Sequence, residues 1–374
     1  SRQPTCHSFR VEMILATLLF LLPQEPDASV LSESGRRAAE KGLAWLAQEQ
    51  LQNGSWPGDV GYKLRNGYEV WNPHAAHLGV TSLAGMAFLA GGHVPGRGPY
   101  GKVVEDAAHW VAQNVRADGY ISANETRMYS HAFATLFLAE VYGMDRKGEI
   151  RPVLQRAADM IVASQNSKGG WRYTPHSADA DMSVSACQVM ALRAARNVGI
   201  QIPSSTIDRA VRYVRDSAVR KNQPMLRRSF NMNLPADPPG SFRYQPILDT
   251  RASWALTAAG VTILTNAGVY ADEDLENGLR YLESDLKDYS AKWGIRNRGH
   301  YYFWYGHYYG VQAFHMAGGL RWRNYFSHIQ ETLLGMQIND GSWPNSTGPG
   351  THYSTATACL ILQIPREYLP IFER

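Results

Sequence analysis

A turn of the form Gln-x-x-x-Gly-x-Trp occurs three times in this chain, at Gln50–Trp56, Gln165–Trp171 and Gln337–Trp343. Each copy follows an amphipathic helical stretch and precedes an apolar one. The clearest case is Gly169–Leu192, where a Gly-Trp turn leads through a polar loop holding Asp179 and Asp181 into an apolar helix. A pattern that recurs every roughly 55 residues calls for a repeat architecture before any other reading.

The flanking helices recur even where the turn is degraded. The first copy pairs Lys41–Trp56 with the small, apolar run Val80–Gly92. The second starts at Asp106, turns at Asp118-Gly119-Tyr120 and resumes at Ser130. The third starts at Arg156. The fourth starts at Arg209, turns at Gly240-Ser241-Phe242 and resumes at Asp249. The fifth starts at Asn277 and passes through the aromatic run Tyr301–Tyr309, and the sixth runs from Leu333 through Trp343 to His352. Each pair joins a helix with one apolar face to a helix apolar on nearly every face, which must be buried all round. Six such pairs predict two concentric rings, an all-α (α/α)6 toroid, with the apolar helices inside. An open solenoid needs polar capping repeats at its ends, whereas here the first and last copies both keep the complete turn. No stretch of period two is long enough to predict a sheet.

Composition narrows the partners. Of the 374 residues, 44% are hydrophobic and 19% charged, with a net charge of +4. Basic clusters such as Arg36-Arg37 lie on helical faces, so no nucleic-acid partner is expected. Cys6, Cys187 and Cys359 form neither a disulfide framework nor a zinc spacing. Arg2 and Arg10 precede the apolar run Met13–Leu22, which is too short to span a bilayer and suits a signal-peptide core. Residues 1–29 are therefore expected to be a leader to the periplasm and residues 30–374 one toroid, with no transmembrane helix in the mature chain.

The three Gln–Trp turns resemble the QW repeats of the squalene–hopene cyclase and prenyltransferase superfamily. The likeness extends from Ala38 to about Leu362. Together with G-G-W-R-Y at Gly169–Tyr173 and the run from Ser130, it is similar to single-domain bacterial prenyltransferase/squalene oxidase repeat proteins. The resemblance implies a toroid with a cavity at one end of the ring, holding a polyprenyl-type apolar molecule. In class II terpene cyclases the acid motif is D-x-D-D, whose third residue donates the initiating proton. Asp179 and Asp181 match its first and third places, and Met182 replaces the last. Asp181 is thus the expected acid and Asp179 its partner, since burial and a neighbouring carboxylate both raise a carboxyl pKa. Helix capping is the competing role for Asp181.

Alignment of the inner helices places His77, Ser130 or His131, Asp181, Asp249, Tyr308 and His352 at their N-termini. There they would converge on one mouth. Trp171, Tyr173, Trp254, Tyr309 and Tyr353 are further candidates for substrate contact, because aromatic faces stabilise a carbocation. The zinc ligands of protein prenyltransferases are incomplete, since Thr250 and Arg251 follow Asp249. His74, His77, His131 and His352 have no recognisable metal spacing. No metal or cofactor is expected. The alternative function is a non-catalytic exported toroid that binds a glycan, lipid or peptide at the same mouth.

Overall fold

A computed structural model describes residues 30–64, 67–144, 149–221, 237–247 and 251–373. The expected leader over residues 1–29 lies outside them, as does Asp249. Among the described residues twelve α-helices alternate between two rings. The outer helices are α1 (Glu33–Glu49), α3 (Gly101–Gln113), α5 (Ile150–Ala163), α7 (Ser204–Ser217), α9 (Glu273–Ser290) and α11 (Gly319–Met336). The inner ones are α2 (Leu78–Ala90), α4 (Met128–Met144), α6 (Met182–Asn197), α8 (Trp254–Asn266), α10 (Tyr301–Ala317) and α12 (Thr351–Gln363). Inner helices pack on their neighbours in order, and α12 returns to α2. The chain is an all-α (α/α)6 toroid.

Burial follows the hydrophobic pattern. Every residue of α2 is buried, whereas α7 buries one stripe through Thr206, Ala210, Tyr213, Val214 and Ser217. A helix enclosed on all sides by other helices has no polar face to offer, so Ala, Gly and Thr fill its contacts.

The Gln–Trp turn is the joint that sets the angle between rings. In all three copies the indole nitrogen donates to a carbonyl ten residues earlier: Trp56 to Leu46 (2.7 Å), Trp171 to Ile161 (2.7 Å) and Trp343 to Leu333 (2.8 Å). These are last-turn carbonyls of the outer helix, where the regular intrahelical ladder runs out. The same tryptophans' backbone N–H groups donate to Thr81, Ser185 and Thr355 of the inner helices. The glutamine Nε2 bridges its own turn and the next outer helix, as with Gln165 to Gly169 O (2.9 Å) and Thr206 O (2.8 Å). The turn glycine has to be glycine on two grounds. Gly169 has φ +93°, and a Cβ there would lie 2.3 Å from the Arg209 carbonyl oxygen of the next outer helix. Gly341 repeats this against Lys41 of α1, which closes the ring.

Closure has its own bonds. Gln337 Nε2 donates to Gly341 O and Ala38 O, both at 2.9 Å, and Gln363 Nε2 donates to Ala87 O at 2.9 Å. Replacing Gln337 by alanine removes two such bonds, at about 0.5–1.5 kcal/mol each. The expected loss of about 1–3 kcal/mol is readable as a lowered urea midpoint with an unchanged slope. An unaltered midpoint would mean that closure rests on apolar packing alone.

One element departs from the helical expectation. Between the first turn and α2, strands β1 (Pro57–Leu64) and β2 (Gly67–Ala76) form an antiparallel hairpin where a loop and no sheet were expected. Its register is interrupted on either side of Val60. The sequence signal was Asn66-Gly67, a hairpin-turn dipeptide between two runs that each carry one Val and one Tyr. The interruptions break the period-two pattern, which hides the strands from a periodicity test. The hairpin crosses the open end of the ring, held by Asp59 N to Pro349 O at 2.8 Å and by Asn124 Nδ2 to Ala76 O at 2.8 Å. A second pair, β3 (Phe242–Arg243) with β4 (Ala252–Ser253), precedes α8.

Candidate functional site

The six inner helices point their N-termini toward the hairpin and enclose a cavity of ≈ 310 Å³ beneath it. Every inner helix contributes to the lining, from Val80 of α2 and Phe133 of α4 to Tyr308 of α10 and Tyr353 of α12. Tyrosine dominates. Tyr62 and Tyr68 come from the hairpin, Tyr129 from α4, Tyr173 and Tyr244 from loops, and Tyr301, Tyr302 and Tyr305 from α10. A larger depression of ≈ 470 Å³ on the outside of the ring lies among Asp208, Arg209, Arg212 and Arg215 of α7. It is an open groove between charged outer-helix residues, with none of the convergence found at the ring mouth.

Loop tyrosines reach the cavity because their carbonyls cap the preceding repeat. Met128 N at the start of α4 donates to Tyr173 O (3.0 Å), and Met182 N at the start of α6 donates to Tyr244 O (2.8 Å). Each repeat thus satisfies free N–H groups of the helix before it, and the ring of the same residue turns into the mouth. The two phenols meet, with the hydroxyls of Tyr173 and Tyr244 2.5 Å apart.

Asp181 sits behind this wall and is fully buried, at 0% exposure. Its Oδ1 accepts from Val184 N at 2.9 Å, so it is the N-cap of α6. The same oxygen accepts from Ser183 Oγ at 2.5 Å, and Ser183 Oγ accepts from Tyr129 at 2.6 Å. Ser183 and Tyr129 line the cavity, so a chain of two hydroxyls runs from it to the buried carboxyl. The other oxygen meets Arg172 Nη1 at 3.1 Å. Arg172 in turn donates to the Tyr244 hydroxyl at 3.0 Å and lies over the Tyr173 ring. Burial pushes the Asp181 pKa up, and the bonds from Ser183, Val184 and Arg172 pull against it.

Asp179 plays a different part from the one expected. Its carboxylate is 53% exposed, 3.7 Å from Arg172 Nε, and accepts from Gln245 Nε2 at 2.9 Å. Arg172 stands between the two aspartates. Asp181 is raised by its burial and not by Asp179.

The other predicted positions divide by the partners of their polar atoms. His77, Tyr173, Tyr308 and Tyr353 line the cavity. His77 also caps α2, its Nδ1 accepting from Val80 N at 3.2 Å, although a histidine is an unusual residue there. His131 does not line it, because its Nδ1 accepts from Ile121 N at 3.0 Å in the second repeat's turn; Ser130 beside it does. Trp171 and Trp254 turn away to carbonyls of the outer helices, Ile161 and Leu282. Tyr309 is buried in helix packing outside the lining. His352 lies at the outer rim beside Glu49 and Trp45.

Two alignments were displaced. Tyr308 does not open α10, which begins at Tyr301 with His300 as cap, and α8 is capped by Ser253. Apolar runs begin up to two turns inside an inner helix, since aromatic residues at the mouth continue the helix without looking like core. The residues missed were the hairpin set, Tyr62, Lys63, Tyr68 and Trp71, together with Arg127, Tyr129, Tyr244 and Arg251. Among the described residues no group of three or more His, Cys, Asp or Glu side chains is placed to hold a metal ion, and no helix is long and apolar enough to cross a membrane.

Buried titratable groups give the fold a defined pH response. Burial lowers His77 and His131 to about 4, and raises Glu140 of α4 to about 8. A histidine with a depressed folded pKa stabilises fully above its unfolded value near 6.5 and loses that as pH falls toward 4. For Glu140 the folded state keeps a proton that the unfolded chain gives up, so stability falls as pH rises from about 4.5 to about 8. Glu140→Gln is therefore expected to be nearly neutral at pH 5 and stabilising at pH 8, by roughly 1.4 kcal/mol per pH unit crossed. Equal effects at both pH values in thermal unfolding would show that Glu140 is ionised in the fold.

No protein-family model and no curated protein sequence matches the chain. Solved structures do. The GH76A α-1,6-mannanase from Salegentibacter sp. HEL1_6 superposes with a TM-score of 0.62 at 8% identity, covering 89% of this chain and 99% of that one. The apo type II terpene cyclase MstE from Scytonema gives 0.55 at 14% identity, covering 90% and 100%, and another structure of it holds geranylgeranyl dihydroxybenzoate as substrate. An α-amylase from Clostridium perfringens gives 0.58 at 9% identity, covering 88% and 97%. At these identities the likeness is one of fold, the (α/α)6 toroid, which carries unrelated chemistries.

Proposed function

We propose that the chain is a terpenoid-cyclase-like enzyme of the squalene–hopene cyclase superfamily, acting on a polyprenyl-type molecule held in the ring mouth. The observation that carries this reading is the hydroxyl chain from the aromatic cavity through Tyr129 and Ser183 to the buried Asp181. The Gln–Trp turns and the likeness to MstE support it at the level of fold.

In this reading the two hydroxyls, which in the structure donate toward Asp181, first turn outward; the protonated Asp181 carboxyl then passes its proton to Ser183 as Ser183 passes one to Tyr129, and Tyr129 passes one to the substrate. The π electrons of one double bond form the new C–H bond, and the cation left behind is attacked by the next double bond. Tyrosine and Trp71 faces at the cavity wall stabilise the travelling charge. Loss of a proton at the end returns the balance, so the reaction is an isomerisation. Burial of Asp181 keeps it protonated nearer neutrality than an exposed carboxyl.

The glycan reading draws on the mannanase neighbour. Glycoside hydrolysis commonly uses two carboxyl groups that flank the sugar, and among the described lining residues Glu125 is the one carboxylate. A non-catalytic binding role is supported by the capping bond of Asp181. The test is incubation with a series of polyprenyl alcohols and phosphates, followed by chromatography for cyclised isomers, with Asp181→Asn in parallel. Absence of any product across the series would sink the cyclase reading.

A further inference from the structure

The cavity's charge is one-sided. Three of its lining residues are cations, Lys63 from the hairpin, Arg127 before α4 and Arg251 before α8, against the single carboxylate of Glu125, which is exposed. Among the described residues none of the three cations is in an ion pair. Their contacts are with aromatic rings instead. Lys63 Nζ lies 4.6 Å from the centre of the Tyr302 ring, and Arg251 donates to the Tyr302 hydroxyl at 2.6 Å. Arg127 stacks 4.8 Å from the Trp71 ring. A cation gains less from an aromatic face than from an anion seated beside it.

Lys63 and Arg251 converge on one residue, Tyr302, from opposite parts of the chain, Lys63 over its ring and Arg251 at its hydroxyl. Burial alone would raise the Tyr302 phenol, yet Lys63, Tyr301 and Arg251 together hold it below its usual value. The inner-helix N-termini face the same mouth and add the positive ends of their dipoles. Below this rim the walls turn apolar through Val80, Leu83, Phe133 and Leu256.

We infer that the site takes an amphiphile with an anionic head, a phosphate or carboxylate seated between Lys63 and Arg251, and an isoprenoid tail directed down the ring axis. The inference rests on the polyprenyl reading of the cavity and adds the chemistry of the head. The two cations displace from Tyr302 onto the head group, and the Tyr302 hydroxyl becomes a further donor to it. Because the hairpin carries Lys63, head binding also ties the hairpin to α10.

The experiment is calorimetric titration of the purified protein with farnesyl phosphate, farnesol and inorganic phosphate at low and high salt, below the concentration at which the amphiphiles aggregate. Farnesyl phosphate is expected to bind at least about tenfold more tightly than farnesol, and the ratio should shrink as salt screens the rim. The double variant Lys63→Gln with Arg251→Gln should lose the ratio, through weaker binding of farnesyl phosphate. Equal affinities in the native protein, or a ratio that persists in the double variant, overturn the head-group assignment and leave the polyprenyl reading standing. Failure of both farnesyl compounds to bind overturns the two together. Inorganic phosphate alone is expected to bind weakly, and affinity equal to farnesyl phosphate would show that the tail contributes nothing, which also overturns the inference.

Discussion

Asp181→Asn is expected to lower product formation by about 10²–10⁴, the range for removal of a positioned general acid, while the fold survives. Asparagine caps a helix as well as aspartate, so its amide oxygen keeps the bonds from Val184 N and Ser183. What is lost is the ionisable carboxyl opposite Arg172. That guanidinium is 26% exposed and keeps Asp179 and the Tyr244 hydroxyl as partners, so the cost to stability is expected to be no more than about 1–2 kcal/mol after solvent screening. Tyr129→Phe tests the relay separately, since it breaks the chain to Ser183 but leaves the carboxyl and its cap in place. Product formation by Asp181→Asn at the native rate would exclude the acid role. Unfolding of Asp181→Asn with a stable, inactive Tyr129→Phe would still place proton transfer in this chain of groups.

Trp171→Ala is expected to cost about 3–5 kcal/mol, the usual result of emptying a buried aromatic site. Trp171 is 1% exposed, and its indole nitrogen is the partner of the Ile161 carbonyl at 2.7 Å. Truncation leaves that carbonyl facing a void. Trp171→Phe keeps much of the volume and loses the bond, so a loss of about 1–2 kcal/mol is expected. The pair separates filling from bonding. Should phenylalanine prove as damaging as alanine in denaturant unfolding, the joint would depend on the bond and the packing argument would fail. Trp56→Ala and Trp343→Ala should behave alike, because the same two bonds recur at each turn.

The chain's own text carried the architecture through features that are local. Turn glycines, indoles ten residues from their carbonyls and helices with one or all faces apolar are each complete within a few dozen residues, and repetition of the unit makes a ring. Which repeat meets which also followed, because a closed ring leaves no choice of neighbour. Asp181 was legible as a residue at a helix start, and both of its expected roles, acid and cap, begin from that position.

The site was decided by tertiary structure. The cations Lys63, Arg127 and Arg251 belong to three segments with no common motif and meet only after the ring has closed. The wall that separates Asp181 from the cavity is built of Tyr129, Ser183, Tyr173 and Tyr244 from three successive repeats, and spacing along the chain says nothing of which side of a loop a ring will face. His131 and Trp254 look like site residues in sequence, and only the donor or acceptor each finds turns it away. Hydrophobic periodicity reports how much of a residue is buried. Whether its polar atom ends on a backbone group or in a cavity depends on contacts made across the ring, and those exist only in the folded chain.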